Sequence, residues 1–205
     1  MKKLFHTLLG LLFFIQLSSC GKTHQATDGQ STLAAAAVIS YASKIMNASD
    51  LGDYINSNSV GLNLDDLPCV SGQVVNSGSM EVSSYGEITY IRLKQVFQAC
   101  RTIDDFCKKT DVEYILNGNL RTVLRSEVGK KEKELSISGN ITVRAERDFS
   151  CSINLNALLG DVVNIEFDDL TELIHGEICG KSFSEIRELM SLSEDEYCQV
   201  ISWGL

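Results

Sequence analysis

The residues of this chain that could do chemistry are few and scattered. Beyond the first 22 positions two of its three histidines remain, His24 and His175. A serine or cysteine hydrolase needs such a base aimed at a nucleophile. His175 sits at the expected end of a helix, between Glu172 and Glu177, and no Gly-x-Ser-x-Gly elbow accompanies it. Tight Cys-x-x-Cys pairs are missing, which weakens both thiol exchange and a zinc site. Adjacent acids occur at Asp104/Asp105, Asp168/Asp169 and Glu194/Asp195/Glu196. Acids make up 27 of the 205 residues, so their adjacency singles out no glycosidase pair. Phosphate loops and dinucleotide glycine fingerprints are also missing. No catalytic residue, metal ligand or cofactor is therefore assigned, and the balance leans away from an enzyme.

One further thiol has a different setting. Lys2 and Lys3 precede the apolar run from Leu4 to Ile15, and Gln16 to Ser19 then lead to Cys20. Basic, apolar, then small is the layout of a secretory signal peptide, too short in its apolar part to remain as a membrane span. Leu17-Ser18-Ser19-Cys20 resembles the lipobox of bacterial lipoproteins. The resemblance covers residues 1–22 and says nothing of the fold that follows. It implies cleavage before Cys20, a diacylglycerol on the thiol and an acyl group, such as palmitate, on the new amino terminus. Two or three acyl chains make membrane attachment stable. Gly21 stands where an aspartate would favour the inner membrane, so the resemblance implies outer-membrane sorting, facing the periplasm or the cell exterior. Residues 1–19 are then a signal peptide, 20–31 the lipidated cysteine and a polar tether, and 32–205 one domain.

The formal charge is -9, and losing Lys2 and Lys3 with the signal takes it to -11. So acidic a chain is disfavoured as a partner of nucleic acid. With Cys20 set aside, six cysteines remain: Cys69, Cys100, Cys107, Cys151, Cys179 and Cys198. An even number in an exported chain implies three disulfides. Sequence alone leaves many pairings open. Proximity favours Cys100 with Cys107 and Cys179 with Cys198, leaving Cys69 with Cys151.

These residues must be held by a framework that the pattern partly discloses. Leu33 to Met46 is alanine-rich with apolar residues at helical spacing, which predicts a helix over 33–47. Residues 48–68 are dominated by loop formers. From Cys69 to about Leu159 the signal is strand, with a turn marked by Asn76-Ser77-Gly78. Leu116-Asn117-Gly118-Asn119-Leu120 and Ile137-Ser138-Gly139-Asn140-Ile141 are alike, and Val70-Ser71-Gly72-Gln73-Val74 is a looser cousin. A tight turn at Val128-Gly129 would set Gly118 opposite Gly139 and Leu120 opposite Ile137. Facing glycines on an apolar face call for sheet curvature or for a groove that admits a ligand, with Gly118, Gly139, Leu120 and Ile137 as its lining. Further on, 168–176 and 182–190 read as short helices, the second with a Ser182/Glu185 capping box, and 200–204 as a last edge strand.

The fold class expected is α+β, an antiparallel meander of five or more strands flanked by an N-terminal helix and short C-terminal helices. The function expected is that of an envelope lipoprotein with a binding or structural role. Its partners would be the bilayer through Cys20 and an envelope protein, a glycan or an apolar ligand. A periplasmic carrier of apolar ligands and a hydrolase of wall glycan or peptide are the alternatives.

Overall fold

The computed structural model of the protein describes residues 26–46, 69–103, 107, 113–145, 148–160 and 167–204. The signal segment, Cys20, the loop over 48–68 and Asp104/Asp105 lie outside the described residues.

The first helix starts where a reciprocal cap forms. The Thr27 N–H donates to Gln30 Oε1 and the Gln30 N–H donates to Thr27 Oγ1, both at 3.1 Å. This capping box satisfies two orphan donors and sets the start of α1 (Asp28–Met46). The helix thus begins five residues before the expected Leu33 and takes over the end of the expected tether. Ser31 and Thr32 lie within it, fully buried. Burial continues through Leu33, Ala34, Ala35, Val38, Ile39 and Tyr41, which together cover every side of the helix. A helix apolar all round belongs in an interior, and its alanines allow neighbours to approach closely. α1 is the centre of the fold.

Seven strands follow the order of the chain: β1 (Ser71–Val82), β2 (Ile88–Ile103), β3 (Glu113–Glu127), β4 (Lys133–Arg144), β5 (Asp148–Leu159), β6 (Ile174–Ile178) and β7 (Lys181–Ser182). Each pairs antiparallel with the next in a single open sheet, which is the expected meander carried to seven strands. Three short helices complete it: α2 (Phe167–Leu173), α3 (Phe183–Met190) and α4 (Glu194–Gly204). All three pack on α1, which also touches β5 and β6. At the other edge, the Tyr41 hydroxyl donates to Asn76 Oδ1, and the Tyr41 ring meets Phe97 edge-on at 5.2 Å.

Alternation along β3, β4 and β5 sends one set of side chains inward: Leu116, Leu120 and Leu124, then Leu135, Ile137 and Ile141, then Cys151, Ile153 and Leu155. The register differs from expectation by two residues. Gly118 pairs with Ile141 and Leu120 with Gly139, because the hairpin closes at Ser126–Lys133 with a longer loop than Val128-Gly129 alone. A slip of two preserves which side chains point inward, so the apolar face is the expected one. The observed register sets each glycine against a large side chain, and no row of the core is empty. At Gly139, with φ +152°, a Cβ would lie 2.2 Å from the Asn119 carbonyl oxygen; at Gly118, with φ +122°, it would lie 2.3 Å from that of Asn140. These are points of close backbone approach that bend the strands.

Four other expectations change. Asn76-Ser77-Gly78 is no turn: β1 runs through it, paired with Gln95, Lys94 and Leu93. The helix expected over 168–176 ends at Leu173, and Ile174 to Ile178 form β6 because Ile174 and Ile178 face the core while pairing with β5. The last edge strand is instead the end of α4, where Tyr197, Cys198 and Ile201 share a buried helical face. Ser182 caps α3 by position only; its hydroxyl lies 2.5 Å from Ser184 Oγ. Half of such a box forms one helix later, where the Ser193 N–H and hydroxyl both donate to Glu196 Oε2, at 3.3 and 2.6 Å.

All six cysteines are joined, as Cys69–Cys100, Cys107–Cys198 and Cys151–Cys179. None of the pairs favoured by proximity occurs. A bulge in β2 between Phe97 and Cys100 turns Cys100 inward, beside the start of β1 and Cys69. Cys151 on β5 meets Cys179 just beyond β6, and Cys107 is left to hold α4.

Candidate binding face

Where inward positions are apolar, the alternate positions are small, polar and open. One row crosses six strands with one residue from each: Ser77, Lys94, Arg121, Ser138, Asn154 and Glu177, each the register partner of the next. All six are exposed. Parallel rows hold Val96, Asn119, Asn140 and Ser152, then Arg92, Val123, Ser136, Asn156 and His175. Strand propensity, pleat and register place these side chains together on the face opposite α1. The face thus carries many hydroxyl and amide groups, with Val75 beside Val96 toward the β1 edge and Leu158 on β5 as exposed apolar side chains among them.

The cations on this sheet are mostly matched with acids. Arg92 pairs with Glu81 and lies 4.9 Å from the centre of the Tyr90 ring. Arg101 pairs with Glu113, and Arg144 with Asp148 at 3.2 Å. Arg125 contacts Glu134 at 2.8 Å and Glu127 at 2.9 Å. A hydrogen bond to Tyr90, followed by the charges of Glu134 and Glu127, raises the Arg125 pKa further. Lys130 contacts Glu127 at 3.0 Å, and that hydrogen bond, with the Lys130 and Arg125 charges, holds the Glu127 carboxyl below the usual carboxylate range. Lys94 and Arg121 differ. They face each other directly, and among the described residues neither has an ion pair or side-chain hydrogen bond.

A hollow of about 460 Å³ lies over this part of the face, with Ser77, Ser79, Arg92, Lys94, Asn119 and Arg121 at its wall. A second, of about 710 Å³, lies over the β2 bulge beside Gln73, Gln98 and Asn117. Of the expected groove residues, Leu120 and Ile137 are buried core side chains. Gly118 and Gly139 are partly buried, and a Cβ added at either would meet the Asn140 or the Asn119 carbonyl. Gly118 lines the second hollow and Leu120 the first. Between α1 and the sheet the interior is filled by side chains such as Leu33, Ile39, Tyr41, Leu155 and Phe183, all nearly inaccessible.

His175 projects from β6, exposed, opposite Asn156. Asp168 and Asp169 occupy the first turn of α2, and Glu194, Asp195 and Glu196 that of α4, where carboxylates favour the helix dipole. Among the described residues, no three His, Cys, Asp or Glu side chains are grouped to hold a metal ion. No described helix is long and apolar enough to cross a membrane. Ser77, Ser79, Lys94, Asn119 and Arg121 do not stand out in the sequence. What marks them is cross-strand register, and no local motif encodes it.

No known protein family, characterised protein or solved structure matches the chain.

Proposed function

We propose that this protein is a lipid-anchored binding protein of the bacterial cell envelope. Residues 1–19 export it, acylated Cys20 holds it to the outer membrane, and the open face of the sheet meets its partner. The observation that carries the reading is that face: a row of exposed polar side chains from Ser77 to Glu177 across six strands, in a sheet whose other face is buried over β3, β4 and β5. Hydroxyls and amides in register suit reversible hydrogen bonding to a polar partner, a glycan or a protein, and supply no nucleophile with a base beside it. Three disulfides support an oxidising compartment outside the cytoplasm.

Position-dependent photo-crosslinking in intact cells tests this reading. A photoreactive residue at Asn140 or Asn154 should give a discrete adduct, and one at Glu188 or Gln199 on the helical side should not. Adducts from the helical side alone would overturn the assignment of the face.

A further inference from the structure

The open face is not uniform. Lys94 on β2 and Arg121 on β3 are register partners on the same side of the sheet. Like charges directly opposed destabilise a strand pair. Elsewhere this chain avoids that arrangement: Arg92, Arg101, Arg125 and Arg144 each have a carboxylate at hand. Acids outnumber bases by 27 to 18 in the whole sequence, so partners for Lys94 and Arg121 were not scarce. The two cations instead stand beside Arg92, whose guanidinium is held by Glu81 and the Tyr90 ring, and beside the Ser77 and Ser79 hydroxyls and the Asn119 amide. An anion in that hollow would relieve the repulsion between Lys94 and Arg121. It would also meet a planar guanidinium fork, an ammonium group and neutral donors, the set that recognises a tetrahedral oxyanion.

We propose that the hollow over β1, β2 and β3 is a phosphate-binding site, with Lys94 and Arg121 as its principal ligands. The proposal rests on the open face being the binding face and deepens that reading. The surrounding charge narrows the ligand. A formal charge of -11, once Lys2 and Lys3 leave with the signal, repels extended polyanions at ordinary ionic strength, whereas a single phosphate group on an otherwise neutral or zwitterionic molecule meets only the local cations. A phospholipid headgroup and a phosphate-substituted sugar share that chemistry.

The test uses the full chain in a neutral detergent, titrated with inorganic phosphate, with glycerophosphoethanolamine and with glucose 1-phosphate, and followed by NMR of the backbone amides. Saturable shifts centred on Ser77, Lys94, Asn119 and Arg121 are expected, together with a phosphate-dependent rise in melting temperature. Tighter binding of one ester identifies a headgroup or a sugar phosphate as the source. Lys94→Glu sets a carboxylate opposite Arg121. It should keep or raise the melting temperature in buffer without phosphate, and it should abolish both the saturable shifts and the phosphate-dependent rise. Arg144→Gln should bind phosphate as the unaltered chain does. Non-saturable shifts, shifts spread equally over Lys130, Arg144 and Lys181, or full binding by the Lys94→Glu variant would overturn the proposal. A failure here beside discrete crosslinks from Asn140 or Asn154 would leave the open face as the binding face and remove only the phosphate site.

Discussion

Gly139 on β4 lies directly across from Leu120 on β3, and the missing glycine side chain is what lets the Asn119 carbonyl come so close. A Cβ there would stand 2.2 Å from that oxygen, and the φ of +152° is one that L residues rarely adopt. Gly129 is a useful contrast. It has φ +84° in the β3–β4 turn, and a Cβ there would meet nothing within 4 Å. Gly129→Ala should cost about 1 kcal/mol, from backbone strain alone. Gly139→Ala should cost about 3 kcal/mol or more, since strain and overlap add. Denaturant melts of the two variants check this, and equal costs would mean that the strands can separate there cheaply.

The disulfides differ in the length of chain they close. Cys107–Cys198 spans 91 residues, against 31 for Cys69–Cys100 and 28 for Cys151–Cys179. Chain-entropy arguments give about 4.6 kcal/mol for the long closure and about 3.6 kcal/mol for each short one. Replacing Cys107 and Cys198 together by alanine should therefore destabilise the protein most and loosen α4 from α1. Hydrogen exchange that rises first in Glu194–Gly204 of this variant would confirm the assignment of the bond.

Below the usual carboxylate range the β3–β4 hairpin should weaken. Lys130 and Arg125 hold the folded Glu127 pKa below its unfolded value. A depressed carboxyl contributes stability that is fully present above the unfolded pKa and is lost as pH falls through the folded one. NMR titration should find Glu127 titrating below an unstructured glutamate, and Lys130→Ala should move it upward. An unmoved midpoint in that variant would show that Lys130 is not its main partner.

Thr27 tests the start of α1. Its side chain is half of a reciprocal cap with Gln30. Thr27→Ala should cost about 1 kcal/mol, with fraying confined to the first turn. A cost near zero in thermal or denaturant unfolding would mean that burial alone holds the helix end.

Much of the architecture was legible because it depends on local pattern. Alanine-rich 33–47 has few alternatives to helix, and alternation from Leu116 to Leu155 identifies the buried face whatever the register. The start of α1 is not legible at Thr27-Asp28-Gly29-Gln30, because its capping box lies in a polar stretch that resembles a tether. Beyond residue 173 the apolar runs are short, and Ile174 and Ile178 fit helix and strand equally well until β5 offers them partners. The disulfide pairs were not legible, because a bulge at Gln98–Ala99 decides where Cys100 points. The opposition of Lys94 and Arg121 was hidden for the same reason: the two residues lie 27 positions apart and meet only once the β2–β3 register is set.

The intact mass of the protein purified from bacterial membranes, before and after reduction, tests most directly whether a disulfide-locked domain hangs from the envelope by Cys20. A chain that begins at Cys20 and carries two or three acyl chains is expected. Reduction should add about six hydrogens, two for each of three bonds. A chain that retains residues 1–19, an unmodified Cys20, or a mass unchanged by reduction would contradict this arrangement.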